Sequence, residues 1–126
     1  MSNVMQITPF MHVDDLDAAV SFFVDTLGFD CQFRQANYAY VSLEGAGFRI
    51  LGHEPGDGEL GVPHRGFAYY ADVRDLAAIE ASLAPALAKL PEGDVHGPVD
   101  QHYGQRELLI RAPDGNLFVF GQAITS

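Results

Sequence analysis

Two apolar rhythms succeed one another at the start of the chain. Ile7 to Val13 has strand character, and from Leu16 onward Leu16, Ala19, Val20, Phe23, Val24 and Leu27 recur at helical spacing. Asp14 and Asp15 precede that run and can accept hydrogen bonds from the free amides of a helix start, while Gly28 supplies a left-handed stop. The pattern predicts one amphipathic helix from Leu16 to Leu27. Three β-type runs follow, Phe29 to Gln35, Tyr38 to Glu44 and Phe48 to His53, separated by Ala36-Asn37 and by Gly45-Ala46-Gly47. They read as a meander.

From Glu54 to Pro63 the chain is rich in Gly, Pro and acid and can continue neither helix nor sheet. Beyond it the order restarts. Gly66 to Val73 reads as a strand, and Leu76, Ile79, Leu83 and Leu87 as a helix that breaks or ends near Pro85. A strand around Val95, a strand Glu107 to Arg111, the turn Ala112 to Asn116 and a last strand Leu117 to Gly121 complete the second half. A shift of 60 positions lays Val13-Asp14-Asp15-Leu16-Asp17-Ala18 over Val73-Arg74-Asp75-Leu76-Ala77-Ala78, which reads as an internal duplication.

Each half is then βαβββ, and one helix cannot cover both faces of such a sheet, so two units must cooperate. The predicted fold is α+β: two βαβββ modules forming a curved mixed sheet around a cleft, with the helices on the outer face. Residues 1–54 form the first module, 55–65 the linker and 66–126 the second module of a single domain.

Composition narrows the partners. The chain has 126 residues, 48% of them apolar, enough for one real core, and no apolar run is long enough for a membrane span. Met1 to Gln6 lacks the basic and apolar regions of a secretory signal, so the expected location is the cytoplasm. Cys31 is the single cysteine, which excludes an intrachain disulfide and a cysteine-based zinc site within one chain. A formal charge of −10 repels nucleic acid phosphates and draws in cationic ligands at low salt.

Val13-Asp14-Asp15-Leu16, Phe22-Phe23, Leu27-Gly28-Phe29, Tyr103-Gly104-Gln105-Arg106-Glu107 and Pro113-Asp114-Gly115-Asn116 together resemble the glyoxalase/bleomycin-resistance/dioxygenase, or vicinal-oxygen-chelate, superfamily. The last two pieces are similar to its metal-free bleomycin-resistance branch. In metal-dependent members the resemblance places the ion's ligands at positions that here hold Thr8, Leu51, Gly66 and Val119, none a usual ligand. No catalytic residue, metal or cofactor is therefore expected, and the reading leans away from an enzyme. His12, His53 and His64 lie two or more residues from those positions; a shifted register would bring them to the same face, still without the carboxylate.

The resemblance implies a homodimer in which aromatic side chains clamp a flat ligand, here Tyr38 and Tyr103. Tyr69 is the expected cleft-facing member of the pair Tyr69-Tyr70. Arg49 shares strand parity with Leu51 and should face the cleft, paired either with Glu107 or with a ligand anion. Gly104, Arg106 and Glu107 complete the candidate binding set, whereas Pro113-Asp114-Gly115-Asn116 only turns the chain. The branch usually has Trp before the motif glycine, and this chain has none, which leaves the particular drug open. The expected function is sequestration of a planar, cationic small molecule such as an antibiotic, with no nucleic acid or membrane partner. The alternatives are a metal-dependent glyoxalase-like lyase or thiol transferase on a displaced site, or a sensor of a small metabolite.

Overall fold

Asp15 and Asp75 start the two helices in the same way. Each lies in extended backbone, with φ of −126° and −138°, and each Oδ1 accepts a hydrogen bond from the amide three residues on, Ala18 and Ala78, at 3.1 Å. That satisfies an amide the helix leaves without an internal acceptor. The repeated aspartates are thus two copies of one structural device.

The computed structural model describes residue 3, residues 8–52 and residues 68–125. His53, His64, Gly66 and the expected linker 55–65 lie outside the described residues. The chain divides into two compact units, Met1–Arg65 and Gly66–Ser126.

In the first unit β1 (Phe10–Val13) leads into α1 (Leu16–Ser21) and then β2 (Asp30–Gln35), β3 (Tyr38–Leu43) and β4 (Ala46–Gly52). The strand order is β1-β4-β3-β2, with β1 parallel to β4 and the other pairs antiparallel. α1 packs on β3 and β4. Met11, Val13, Ala39, Val41, Phe48 and Ile50 are all buried on that face, and Phe23 meets Phe29 and Phe48 edge-to-face.

The expected single α-helix from Leu16 to Leu27 is corrected. After Ser21 the ladder widens into a π-turn over Phe22–Thr26, where Leu27 N–H donates to the Phe22 carbonyl at 3.1 Å. Phe29 N–H then reaches the Phe23 carbonyl at 2.8 Å, and Gly28, with φ of 79°, makes the left-handed exit. The wider turn buries both Phe22 and Phe23, which apolar spacing alone does not distinguish from an ordinary helix.

The second hairpin is also tighter than expected. Glu44 and Gly45 both have positive φ, 51° and 86°, and Leu43 pairs directly with Ala46, so Ala46 and Gly47 belong to β4 rather than to the turn. β2 is exposed along its whole length and carries a bulge between Cys31 and Phe33.

The second unit repeats the order: β5 (Ala68–Asp72), α2 (Leu76–Leu87), β6 (Val95–Asp100), β7 (Gln105–Arg111) and β8 (Leu117–Ala123), arranged β5-β8-β7-β6. β5 is parallel to β8, and α2 packs on β7 and β8 over the buried Leu108, Ile110, Phe118 and Phe120. α2 ends at Leu87, two residues beyond Pro85 and close to where the sequence places its end. The proline sits in the last turn, where the missing N–H removes one bond near the terminus, and Ala88 N–H still reaches the Ala84 carbonyl at 3.0 Å. The α+β fold of two βαβββ modules read from the sequence is the fold observed. Among the described residues no helix is long and apolar enough to cross a membrane.

Candidate functional site

Strand parity decides which side chains are available for binding. In the second unit the residues paired with buried Phe118 and Phe120 face α2; their neighbours point the other way. Glu107, opposite Gly121, lies on the face away from α2, as does Tyr70, opposite Val119. Tyr69 pairs with Phe118 and lies on the α2 side. Of the two adjacent tyrosines it is Tyr70 that shares the face of Glu107, while Tyr69 lies on the helix side; the sequence does not say which pleat turns toward the helix.

Glu107 is the centre of this face. Its side chain is only 3% exposed, yet its oxygens are held by neutral donors: Tyr103 Oη donates to Oε2 at 2.8 Å and Gln101 Nε2 to Oε1 at 3.2 Å. The Tyr103 ring itself is 57% exposed and meets His102 edge-to-face. The bond to Glu107, then partial desolvation and the negative charge, hold the Tyr103 phenol above its ordinary value. Desolvation first, then hydrogen bonding to Glu107 and its charge, push Tyr70 up to about 12. Tyr69 is pushed up to about 12 by burial alone.

Gly104 shapes the approach to β7. With φ of 87° it closes the turn in which its N–H donates to the Gln101 carbonyl at 3.1 Å, and its own carbonyl accepts from Ile124 N–H at 2.9 Å. Arg106 follows on the other face of β7 and forms a two-point pair with Asp100, Nε to Oδ1 at 2.6 Å and Nη2 to Oδ2 at 3.1 Å. That hydrogen bond, with the attraction of the guanidinium, holds the Asp100 carboxyl below its usual range. The pair fastens β6 to β7, so Arg106 has a structural partner already. Asp100 and Gln101 carry no recognisable signal in the sequence; Asp100 enters through the pairing of a bulged β6, and Gln101 through the turn after it, where its N–H donates to the Gln105 carbonyl at 2.8 Å.

The first unit presents a different face. Phe10, His12, Tyr38, Tyr40, Arg49 and Leu51 share the side of the sheet away from α1. Tyr38 is half-buried and meets Phe33 edge-to-face at 5.8 Å, while Arg49 Cζ stands 5.9 Å from the centre of the Phe10 ring. Phe10 and Tyr40 do not stand out in the sequence, because the β1–β4 and β3–β4 registers that put them beside Arg49 are not readable from it.

Two of the positions at which the family resemblance leads one to expect metal ligands carry aliphatic side chains, Leu51 and Val119, on the faces just described. Neither can ligate, and no group of three His, Cys, Asp or Glu side chains is gathered among the described residues. A shallow groove of about 430 Å³ runs between α2 and the β6–β7 edge, lined by Glu80, Ala84, Leu87, Val95 and Leu108. It lies on the opposite side of the sheet from Glu107 and has a single charged side chain in its wall, so it offers little chemistry.

Comparison with known proteins agrees with this architecture. The chain resembles a bleomycin-binding protein from bleomycin-producing Streptomyces verticillus, solved with copper(II)-bleomycin, at 25% identity and TM-score 0.74 over 100% of both chains. It resembles the bleomycin resistance determinant encoded on transposon Tn5 at 23% identity and TM-score 0.72, covering 95% of this chain and 98% of that one. An antibiotic-binding protein from a Streptomyces species matches at 22% identity and TM-score 0.66, over 97% and 99% of the two chains. No curated protein matches in sequence. Residues 6–120 match the model of one family, and the chain belongs to the Glyoxalase/Bleomycin resistance protein/Dioxygenase superfamily.

Proposed function

We propose that the chain sequesters a planar, cationic small molecule of the antibiotic class in a cleft of a homodimer in the cytoplasm, without transforming it. The observation that carries this reading is the state of Glu107: a carboxylate almost removed from water, held by the neutral donors Tyr103 and Gln101. A ligand cation brought to it meets a charge whose desolvation has largely been completed by folding, and the attraction is stronger there than in bulk water. Aromatic rings beside it suit a flat ligand. The net charge of −10 favours the approach of a cation at low salt. The 25% identical neighbour that binds bleomycin supports the same ligand class.

Titration with copper-free bleomycin, followed by intrinsic tyrosine emission, tests the reading. Saturable binding is expected, weakened at least about tenfold in Glu107→Gln and also weakened in Tyr38→Ala and Tyr103→Ala. Undiminished binding in all three variants removes this site. Stoichiometric zinc, nickel, manganese or iron in the purified protein, with an activity lost on chelation, overturns sequestration in favour of an enzyme.

A further inference from the structure

Arg34, Arg106 and Arg111 each reach a carboxylate, those of Asp17, Asp100 and Asp94. Arg49 reaches none among the described residues of the first unit. Its Nε is buried there with no hydrogen-bond partner, in a chain whose net charge is −10. Leaving a buried charged donor unmade is unfavourable, and such a group in a folded protein asks for the acceptor it lacks.

The surroundings of Arg49 indicate what that acceptor belongs to. Its strand neighbours on the same face are Phe10 and Tyr40, with Tyr38 two positions along β3. Phe10 lies against the guanidinium and is 44% exposed. Tyr40 is drawn aside toward Gly47, where an added Cβ would stand 2.9 Å from its Oη. A guanidinium offers a planar fork of N–H groups that matches a carboxylate, and the flanking rings offer flat apolar contact.

We infer that the face of the first sheet carrying Arg49 is a subsite for a planar aromatic acid, whose carboxylate accepts from Arg49 and whose ring lies against Phe10 and Tyr38. The subsite shares Tyr38 with the proposed clamp, but Arg49 belongs to the first unit and Glu107 to the second, so the carboxylate preference carried by Arg49 is tested apart from the sequestration of a cation. Charge selects the occupant: a guanidinium with no carboxylate among the described residues of its unit, on an aromatic floor, discriminates an aryl carboxylate from its neutral amide.

The full chain is titrated calorimetrically with naphthoate and, as the uncharged match, naphthamide. Naphthoate is expected to bind at least about tenfold more tightly, with the preference lost in Arg49→Gln, partly kept in Arg49→Lys and unchanged in Arg34→Gln. Equal affinities for acid and amide, no binding of naphthoate, or a preference surviving in Arg49→Gln each overturn the subsite. Should Arg49→Gln fail to fold, the Arg49 Nε–H resonance of the wild-type protein decides. It shifts with naphthoate and not with naphthamide if the inference holds; a shift that follows protein concentration instead means that a second copy supplies the acceptor, and the inference falls. Naphthoate binding without bleomycin binding counts against the proposed sequestration alone; the reverse counts against this subsite alone.

Discussion

Tyr103 donates its hydroxyl to Glu107 across 2.8 Å, so a ring that is mostly in water is anchored to a carboxylate that is almost wholly out of it. The hydroxyl fixes the ring's direction, and the ring is the part a flat ligand would meet. Anchoring and contact are therefore separable by substitution.

Tyr103→Phe keeps the ring and loses the anchor, whereas Tyr103→Ala loses both. Copper-free bleomycin is expected to bind Tyr103→Ala about three- to tenfold more weakly than Tyr103→Phe, the range expected of one stacking contact. Equal affinities in fluorescence titration would mean that the phenol alone matters.

Alkaline pH should destabilise the fold through its tyrosines. Tyr69 and Tyr70 are pushed from 10.0 up to about 12, so the folded state favours their neutral forms. Their contribution is fully present below pH 10 and is lost as pH rises through about 12, because the unfolded chain releases these protons first. Denaturant melts across this window should show the decline, and Tyr70→Phe should flatten it. A phenolate absorbance titration that places all five tyrosines at the ordinary value would rule out these two phenols as the cause.

Two glycines should respond unequally to alanine. At Gly121 an added Cβ would overlap the Tyr70 hydroxyl at 1.8 Å, but that side chain is 44% exposed and can swing away. At Gly47 the obstacle is the Val41 carbonyl at 2.3 Å, which is backbone. Gly47→Ala should cost about 2–3 kcal/mol and Gly121→Ala under about 1 kcal/mol by chemical denaturation. The milder change should still move Tyr70 away from Glu107, visible as a lower phenol pKa.

The duplicated caps predict matched losses. Asp15→Ala and Asp75→Ala each remove a 3.1 Å bond of the same type and should each cost about 1 kcal/mol. Asparagine at either position should restore most of it, as measured by thermal unfolding. A large asymmetry between the two would show that their likeness is only geometric.

Much of the fold is legible in the sequence because its local signals agree. The aspartates before Leu16 and Leu76, the stop at Gly28 and the turn at Pro113-Asp114-Gly115 state where elements begin and end, and the βαβββ order follows from them. What escapes depends on long-range pairing or on the width of a helix turn. Apolar spacing at Phe22 and Phe23 fits an α-turn as well as the π-turn that forms.

The site is legible by residue type and less so by direction. Glu107 and Tyr103 stand out in the sequence and are hydrogen-bonded in the fold, but it is Tyr70 rather than Tyr69 that shares their sheet face. Adjacent positions on a strand differ only in which face they occupy, and nothing local in Tyr69-Tyr70 states which face the helix will cover. Arg106 is engaged by Asp100, a pairing set by the β6–β7 register.

The bulge between Cys31 and Phe33 has a bearing on solubility. β2 is the outermost strand of its sheet and is exposed from end to end, the usual template for strand-to-strand aggregation. The irregularity interrupts the row of backbone donors and acceptors that an incoming strand would need to copy, while Asp30 and Arg34 add charge on either side of it. One extra residue thus makes this edge of the first sheet a poor template for an added strand.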